Sequence, residues 1–205
     1  MPTPSVTTPS LHLPTLSGHW RYAGLLLGVV IAAAGIAATL QGRLGVGPLD
    51  VLNDGLSKQA GITFGTASVI ASTTAVLLGW RLGAKLAGGS LFAMLALGPS
   101  VDMWLLAVPQ PPGLTLRLAF FLVGMLLLAF GLSLLIAADL GPGPIEVLML
   151  GLTGRGVPLR WVRTGIEAAL AVVGGLLGGQ LGLGTLVIVL VIGHLIAAFV
   201  PAGIK

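Results

Sequence analysis

The strongest constraint on this chain is a series of six long apolar segments. They lie at about residues 21–41, 63–82, 86–108, 116–138, 161–179 and 182–203. A helix needs about 20 apolar residues to cross the hydrocarbon core of a bilayer. Only 8% of the residues are charged, against about 25% in a typical soluble domain, so the chain cannot cover a water-exposed surface. The sequence therefore predicts an all-α integral membrane protein with six transmembrane helices.

The basic residues between these segments predict the orientation. Lysine and arginine collect in the cytoplasmic loops of membrane proteins. With a cytoplasmic N-terminus, that side holds seven of the ten basic residues, and the outer side holds Arg43, Lys58 and Arg117. We therefore predict a multi-pass protein of the cell membrane with both termini in the cytoplasm. Residues 1–20, which are rich in Pro, Ser and Thr, are predicted to form a disordered tail.

A short motif occurs twice, once in each half of the chain. LGVGPLDVL at 44–52 and LGPGPIEVL at 140–148 stand 96 positions apart, and other glycines align at the same offset. Each half contains one apolar segment, one motif and two further apolar segments, which we predict to be repeat 1 (21–108) and repeat 2 (116–203) of one membrane domain. Because each repeat crosses an odd number of times, the two should be inverted relative to each other, as in many secondary transporters.

Each motif combines a glycine-rich turn with the start of a helix. The turn residues are Gly45, Gly47 and Pro48 in the first copy and Gly141, Gly143 and Pro144 in the second. Glycine permits backbone angles that other residues avoid, and proline suits the first position of a helix. We predict short half-helices at 47–58 and 143–154. At 1.5 Å per residue they are too short to cross a core of about 30 Å.

An acidic residue follows each proline by two positions, Asp50 in the first motif and Glu146 in the second. Two interpretations stay open. Such a carboxylate can stabilise the N-terminus of its own helix, or it can bind substrate or carry protons where a half-helix points into the membrane. The first half-helix has a polar face that continues through Asn53, whereas the second is mostly apolar. This difference favours an asymmetric site.

Other ionisable residues within the apolar segments are Asp102, Arg163, Glu167 and His194. Such groups are costly in hydrocarbon and usually face the interior of the helix bundle. Asp102 has no evident partner in the sequence. His194 lies near the middle of the last segment, where a histidine can relay protons or simply bond a neighbouring helix. Glu167 follows Arg163 by four positions, so a local ion pair is the alternative to a role in binding.

Several function classes are excluded or disfavoured by the composition. The chain has no cysteine, which excludes disulfides and thiol chemistry. It has no nucleophile–base motif and no clustered metal ligands, so we expect no enzyme, no metal and no cofactor. The basic residues are scattered singly, so we expect no nucleic-acid partner.

Two functions remain for a protein whose partners are the lipid bilayer and a small molecule. The first is a secondary transporter (permease) of a small, amphipathic or largely apolar molecule, which works by alternating access. The alternative is a non-transporting scaffold or accessory protein that binds a partner. Stripes of small residues on the first and fourth apolar segments allow close helix packing and would also allow a homodimer.

The layout resembles the bacterial YczE-like membrane proteins of the wider YczE/YyaS/YitT group. The resemblance rests on the paired LGxGPxD/E turns, GLSKQAGITFGTAS at 55–68, RWVRTGIE at 160–167 and GLGTL at 182–186, and it covers about residues 22–200. Two positions depart from the pattern: Asn53 stands where a histidine is expected, and a proline interrupts LGPS at 97–100. These proteins are largely uncharacterised and are usually described as permeases. The resemblance therefore supports the prediction of six spans in the bacterial inner membrane and does not name a substrate.

Overall fold

The computed structural model describes residues 16–200, and residues 1–15 of the predicted tail lie outside this range. The described chain forms eight α-helices and no strand, which confirms the all-α prediction for these residues. The helices are α1 (Trp20–Gly42), α2 (Pro48–Ala60), α3 (Phe64–Arg81), α4 (Gly88–Ala107), α5 (Gly113–Ala138), α6 (Pro144–Thr153), α7 (Leu159–Leu176) and α8 (Leu183–Phe199).

Three helices, α1, α4 and α5, are long and apolar enough to cross a membrane by themselves. Together α2 and α3 also meet that criterion, but the pair is bent by 118° at residues 61–63, as in a broken span or a re-entrant loop. The bend has a local cause. Gly61 ends α2 with a left-handed backbone (φ 65°), and the Thr63 side chain then caps the start of α3. Residues 16–200 therefore contain three clear spans, or four if the bent pair is one.

The centre of the molecule is the crossing of α1 and α5, which depends on glycine. Gly28 lies against Gly131, and Gly35 lies against Gly124. Residue numbers thus rise along α1 as they fall along α5, so the two helices run antiparallel. A Cβ atom on Gly35 would lie only 2.7 Å from the Gly124 carbonyl oxygen. Small residues permit this approach and replace side-chain packing by backbone contact.

Each short helix packs on a helix from the other half of the chain. Gly55 of α2 lies against Gly174 of α7, and Gly151 of α6 lies against Gly79 of α3. A Cβ atom on Gly79 would lie 2.6 Å from the Val147 carbonyl oxygen. The two halves of the chain therefore exchange their short helices.

The two Gly–Pro turns are built alike. Gly45 and Gly141 have φ values of 119° and 136°, which only glycine adopts without strain. Each is preceded by a left-handed residue that ends the long helix, Arg43 in the first turn and Asp139 in the second. Pro48 and Pro144 are the first residues of α2 and α6. The local chemistry of glycine and proline thus sets both turns.

Candidate functional site

A cavity of about 370 Å³ with both polar and apolar walls lies where the ends of α1 and α4 meet α2 and the start of α3. We call it the α2–α4 cavity. Its polar lining consists of Gln41, Asp54, Ser57, Thr63, Asp102, Gln110 and Gln180, and its apolar walls of Leu40, Ile62, Phe64, Leu105 and Leu106. Among residues 16–200, no lysine or arginine is part of this lining. The cavity can therefore hold a molecule with both a polar and an apolar part.

Asp102 lines this cavity and holds the start of α3. Its Oδ1 accepts a hydrogen bond of 2.8 Å from the Gly65 backbone N–H, one of the first-turn donors that have no partner within a helix. Gly65 can lie so near because it packs directly on Gly98 of α4. The two bonded residues are 37 positions apart. For this reason the sequence offered no partner for Asp102.

The hydrogen bond of Asp102 leads to a stability prediction. We expect Asp102→Ala to lower the free energy of unfolding by about 1 kcal/mol, as for other lost helix caps. Asp102→Asn keeps an oxygen acceptor and should retain most of this stability. Thermal unfolding of the purified protein in detergent measures both variants. Equal unfolding temperatures for the Ala and Asn variants would mean that the Gly65 bond contributes nothing.

Asp54 is the other carboxylate of the cavity, and the sequence reasoning did not select it as a site residue. Its Oδ2 accepts from Lys58 Nζ at 2.7 Å and from the Gln180 backbone N–H at 2.8 Å. Lys58 Nζ also donates to the Gly178 carbonyl oxygen at 3.0 Å. Charge-assisted bonds of this kind are stronger than neutral ones, so α2 holds the loop between α7 and α8. In the sequence, Asp54 lies on the polar face predicted for the first half-helix and precedes Lys58 by four positions.

Asn53 stands next to Asp54 and is 1% exposed. Neither polar atom of its side chain has a hydrogen-bond partner within residues 16–200. A buried amide in this condition costs free energy, and such groups are rare in native proteins. Packing alone therefore does not explain why a polar residue occupies position 53.

The two acidic residues of the motifs lie beside their own turns. Asp50 Oδ2 lies 3.2 Å from the position that a Cβ atom on Gly47 would take, and Glu146 leans on Gly143 in the same way. Both positions fit the stabilisation of a helix N-terminus. Neither residue lines the α2–α4 cavity. Glu146 lines a separate, smaller cavity of about 240 Å³ between α1, α4 and α5.

The remaining predicted residues lie on α7 and α8. Glu167 Oε1 accepts from Arg163 Nε at 2.9 Å, so the local ion pair foreseen as an alternative is present. Glu167 also borders an apolar groove of about 470 Å³ between α7 and α8. His194 is exposed, and its Nδ1 lies 3.2 Å from the Leu190 carbonyl oxygen of the same helix. Asp102 thus shares the α2–α4 cavity with residues of α2. Arg163, Glu167 and His194 do not line that cavity.

The helices, their apolar surfaces and their glycine-mediated crossings define a multi-pass helical membrane protein. Residues 19–201 match the family described as "Family of unknown function (DUF6198)", and the chain belongs to this family. No solved structure gives a significant match.

Three relatives align over most of the chain. It is 28% identical over 192 residues to "Uncharacterized membrane protein YczE" of Bacillus subtilis, covering 90% of this chain and 87% of the relative. It is 32% identical over 177 residues to an "Uncharacterized protein" of Haemophilus influenzae, covering 85% and 81%. It is 30% identical over 189 residues to "Uncharacterized protein YyaS" of B. subtilis, covering 88% and 92%. These matches confirm the predicted resemblance to YczE-like membrane proteins.

Proposed function

We propose that this protein is a secondary transporter that moves a small, amphipathic molecule across the cell membrane by alternating access between two inverted repeats. The observation that carries the proposal is the exchange of the short helices, in which α2 packs on α7 and α6 packs on α3. If one repeat rocks against the other, each short helix moves with the opposite repeat. Such a motion opens the path on one face while it closes the path on the other.

Equivalent glycine contacts support an inverted repeat. Gly28 and Gly124 stand 96 positions apart, as do Gly35 and Gly131. The contact between Gly28 and Gly131 therefore has its equivalent in the contact between Gly124 and Gly35, with the two partners exchanged. An exchange of partners is the property of an interface around a two-fold axis.

The turns support the same arrangement. The Gly184 N–H donates to the Leu44 carbonyl oxygen at 2.7 Å, and the Gly89 N–H donates to the Leu140 carbonyl oxygen at 3.1 Å. The two acceptors stand 96 positions apart and the two donors 95, so the bonds are equivalent apart from a one-residue slip. Each turn is thus attached to the last helix of the opposite repeat. Two inverted repeats of three crossings each would explain why these two hydrogen bonds are equivalent.

The polar residues depart from this symmetry, which supports one substrate site rather than two. Asn53 and Asp54 of α2 correspond to Met149 and Leu150 of α6 at the 96-residue offset. The packing differs as well, because α3 lies on α4 whereas an apolar groove lies between α7 and α8. Alternating access requires the two repeats to differ in conformation within any one state.

The inverted topology can be tested by cysteine labelling, since the chain has no cysteine of its own. Ser57→Cys on α2 is expected to react with an impermeant thiol reagent in intact cells. Thr153→Cys, 96 positions later on α6, is expected to react only after the membrane is opened. If both positions react from the same side, the repeats run parallel and the proposal loses its main support.

Transport is tested with the purified protein in liposomes and a panel of small amphipathic solutes. We expect a saturable, protein-dependent flux of at least one solute, which falls at least tenfold in Asp102→Asn. Asp139→Asn is the matched control, because this exposed acid lies outside the cavity and asparagine tolerates its left-handed backbone. Folded protein without flux across the panel would favour the scaffold or accessory role.

A further inference from the structure

We propose that the α2–α4 cavity binds a small organic cation, a protonated amine with a compact apolar body, between Asp54 and Asp102. The inference rests on the proposed function in one respect: if the protein is a transporter, the organic cation is the class of molecule that it transports. Binding itself can be measured independently of transport.

The first argument is the charge of the lining. Asp54 and Asp102 are both part of it, and no basic residue of the described chain is. Lys58 bonds Asp54 from the side of an adjoining cavity, which it lines together with Arg43. Lys58 balances the charge of Asp54, so Asp102 supplies the one carboxylate charge of the lining that has no basic partner within residues 16–200. A single positive charge on the ligand would compensate it, whereas an anion would be repelled.

The second argument is the number of acceptors that the protein leaves unused. Asp54 bonds the protein through Oδ2 and Asp102 through Oδ1. The other oxygen of each carboxylate has no hydrogen-bond partner within residues 16–200. An ammonium group offers only donors, up to three N–H bonds on one atom. It complements Asp54 and Asp102, which line the same cavity and each keep one oxygen without a hydrogen bond in the described part of the chain.

The third argument is Gln180, a residue of the loop between α7 and α8. Its side-chain Oε1 is buried and has no hydrogen-bond partner in the described chain, while its backbone N–H bonds Asp54. Unpaired buried acceptors are rare and costly. Gln180 also lines the cavity, and a rotation of its side chain would bring the unpaired Oε1 to a bound ammonium as a third acceptor.

The apolar walls determine the rest of the ligand. Leu40, Phe64 and Leu105 line the same cavity as the two carboxylates, and the burial of a hydrocarbon body against them would contribute about 25 cal/mol per Å². The volume of about 370 Å³ is near the lower end of the range for small-molecule sites. A compact aliphatic amine fits both features better than a sugar, which would leave many hydroxyl groups against apolar walls.

Binding is tested with two probes of the same shape and different charge, cyclohexylamine and cyclohexanol. The full chain is titrated in nanodiscs at pH 7.5 by calorimetry, with empty nanodiscs as the reference for partition into lipid. We expect saturable binding of cyclohexylamine and none of cyclohexanol. Asp102→Asn should weaken binding at least tenfold, or about 1.4 kcal/mol, whereas Asp139→Asn should bind as the unmodified chain does.

A second variant keeps the test decisive if a change in a carboxylate disturbs folding. Ser57→Trp fills the cavity from α2 and leaves both carboxylates in place, and it should also abolish amine binding. Three results would overturn the inference: no amine binding, equal binding of amine and alcohol, or unchanged amine binding in both Asp102→Asn and Ser57→Trp.

The failure of this inference can be told apart from failure of the proposed function. Amine binding without amine flux in proteoliposomes would keep the cation site and reject the transporter. Flux of a neutral or anionic solute that saturating cyclohexylamine does not inhibit would keep the transporter and reject the cation site.

Discussion

Leucine in place of Gly35 is expected to abolish folding, or to lower the free energy of unfolding by about 3 kcal/mol or more. A Cβ atom there would lie 2.7 Å from both the Gly124 carbonyl oxygen and the Leu128 Cα. Both are backbone atoms of α5, which cannot move aside by a change of rotamer. Overpacking costs about 1–3 kcal/mol even where the neighbouring side chains can shift. Here α1 and α5 must separate along the central crossing of the molecule.

The control for this prediction is the same substitution at a glycine with open space around it. Gly165 on α7 and Gly193 on α8 have no atom within 4 Å of an added Cβ. Gly165→Leu and Gly193→Leu should therefore fold, and a gain of about 0.5–1 kcal/mol is expected because glycine weakens helix interiors. Size-exclusion profiles and thermal unfolding in detergent measure all three variants. If Gly35→Leu behaves like the controls, α1 and α5 do not cross at this glycine.

Asn53→Leu is expected to raise the free energy of unfolding by about 1–2 kcal/mol. The side chain is 1% exposed, and both of its polar atoms are unpaired within the described chain. Replacing a buried unpaired amide by an apolar group of similar shape removes a desolvation cost and loses no hydrogen bond. In α6 the equivalent position is occupied by Met149, which is 8% exposed. That half-helix already accommodates a large apolar side chain there.

The neighbouring residue provides a control with the opposite sign. Asp54→Leu removes the acceptor of both Lys58 Nζ and the Gln180 N–H, so we expect a loss of about 1–3 kcal/mol. Chemical or thermal denaturation of the two variants under identical conditions gives the comparison. A destabilised Asn53→Leu variant would show that the amide has a hydrogen-bond partner in the membrane-embedded protein.

Local features of the fold could be predicted because they depend on neighbouring residues. The first apolar segment was placed at 21–41, and α1 spans Trp20–Gly42. The starts of α2 and α6 follow directly from Pro48 and Pro144, whose ring geometry suits the first helical position. The matched glycines at the 96-residue offset also indicated where backbones approach closely.

The rotation of a helix about its own axis was harder to predict, as His194 illustrates. Its segment is apolar on all sides, so no polar face shows which residues point inward. The assumption that an ionisable residue faces the bundle interior placed His194 with Asp102. In the structure, His194 is exposed, and its side chain contacts the Leu190 carbonyl oxygen of its own helix.

By itself, the sequence determined that the chain is a helical membrane protein with a duplicated Gly–Pro motif. The length of an apolar segment and the residues of a turn are both properties of consecutive residues. Only the tertiary structure decided which helix receives each short helix, which carboxylates share a cavity and which amide stays unpaired. These outcomes depend on contacts such as that between Asp54 and Gln180, which are 126 positions apart. A contact of that range forms only when whole helices pack together, so it leaves no periodic trace in either segment alone.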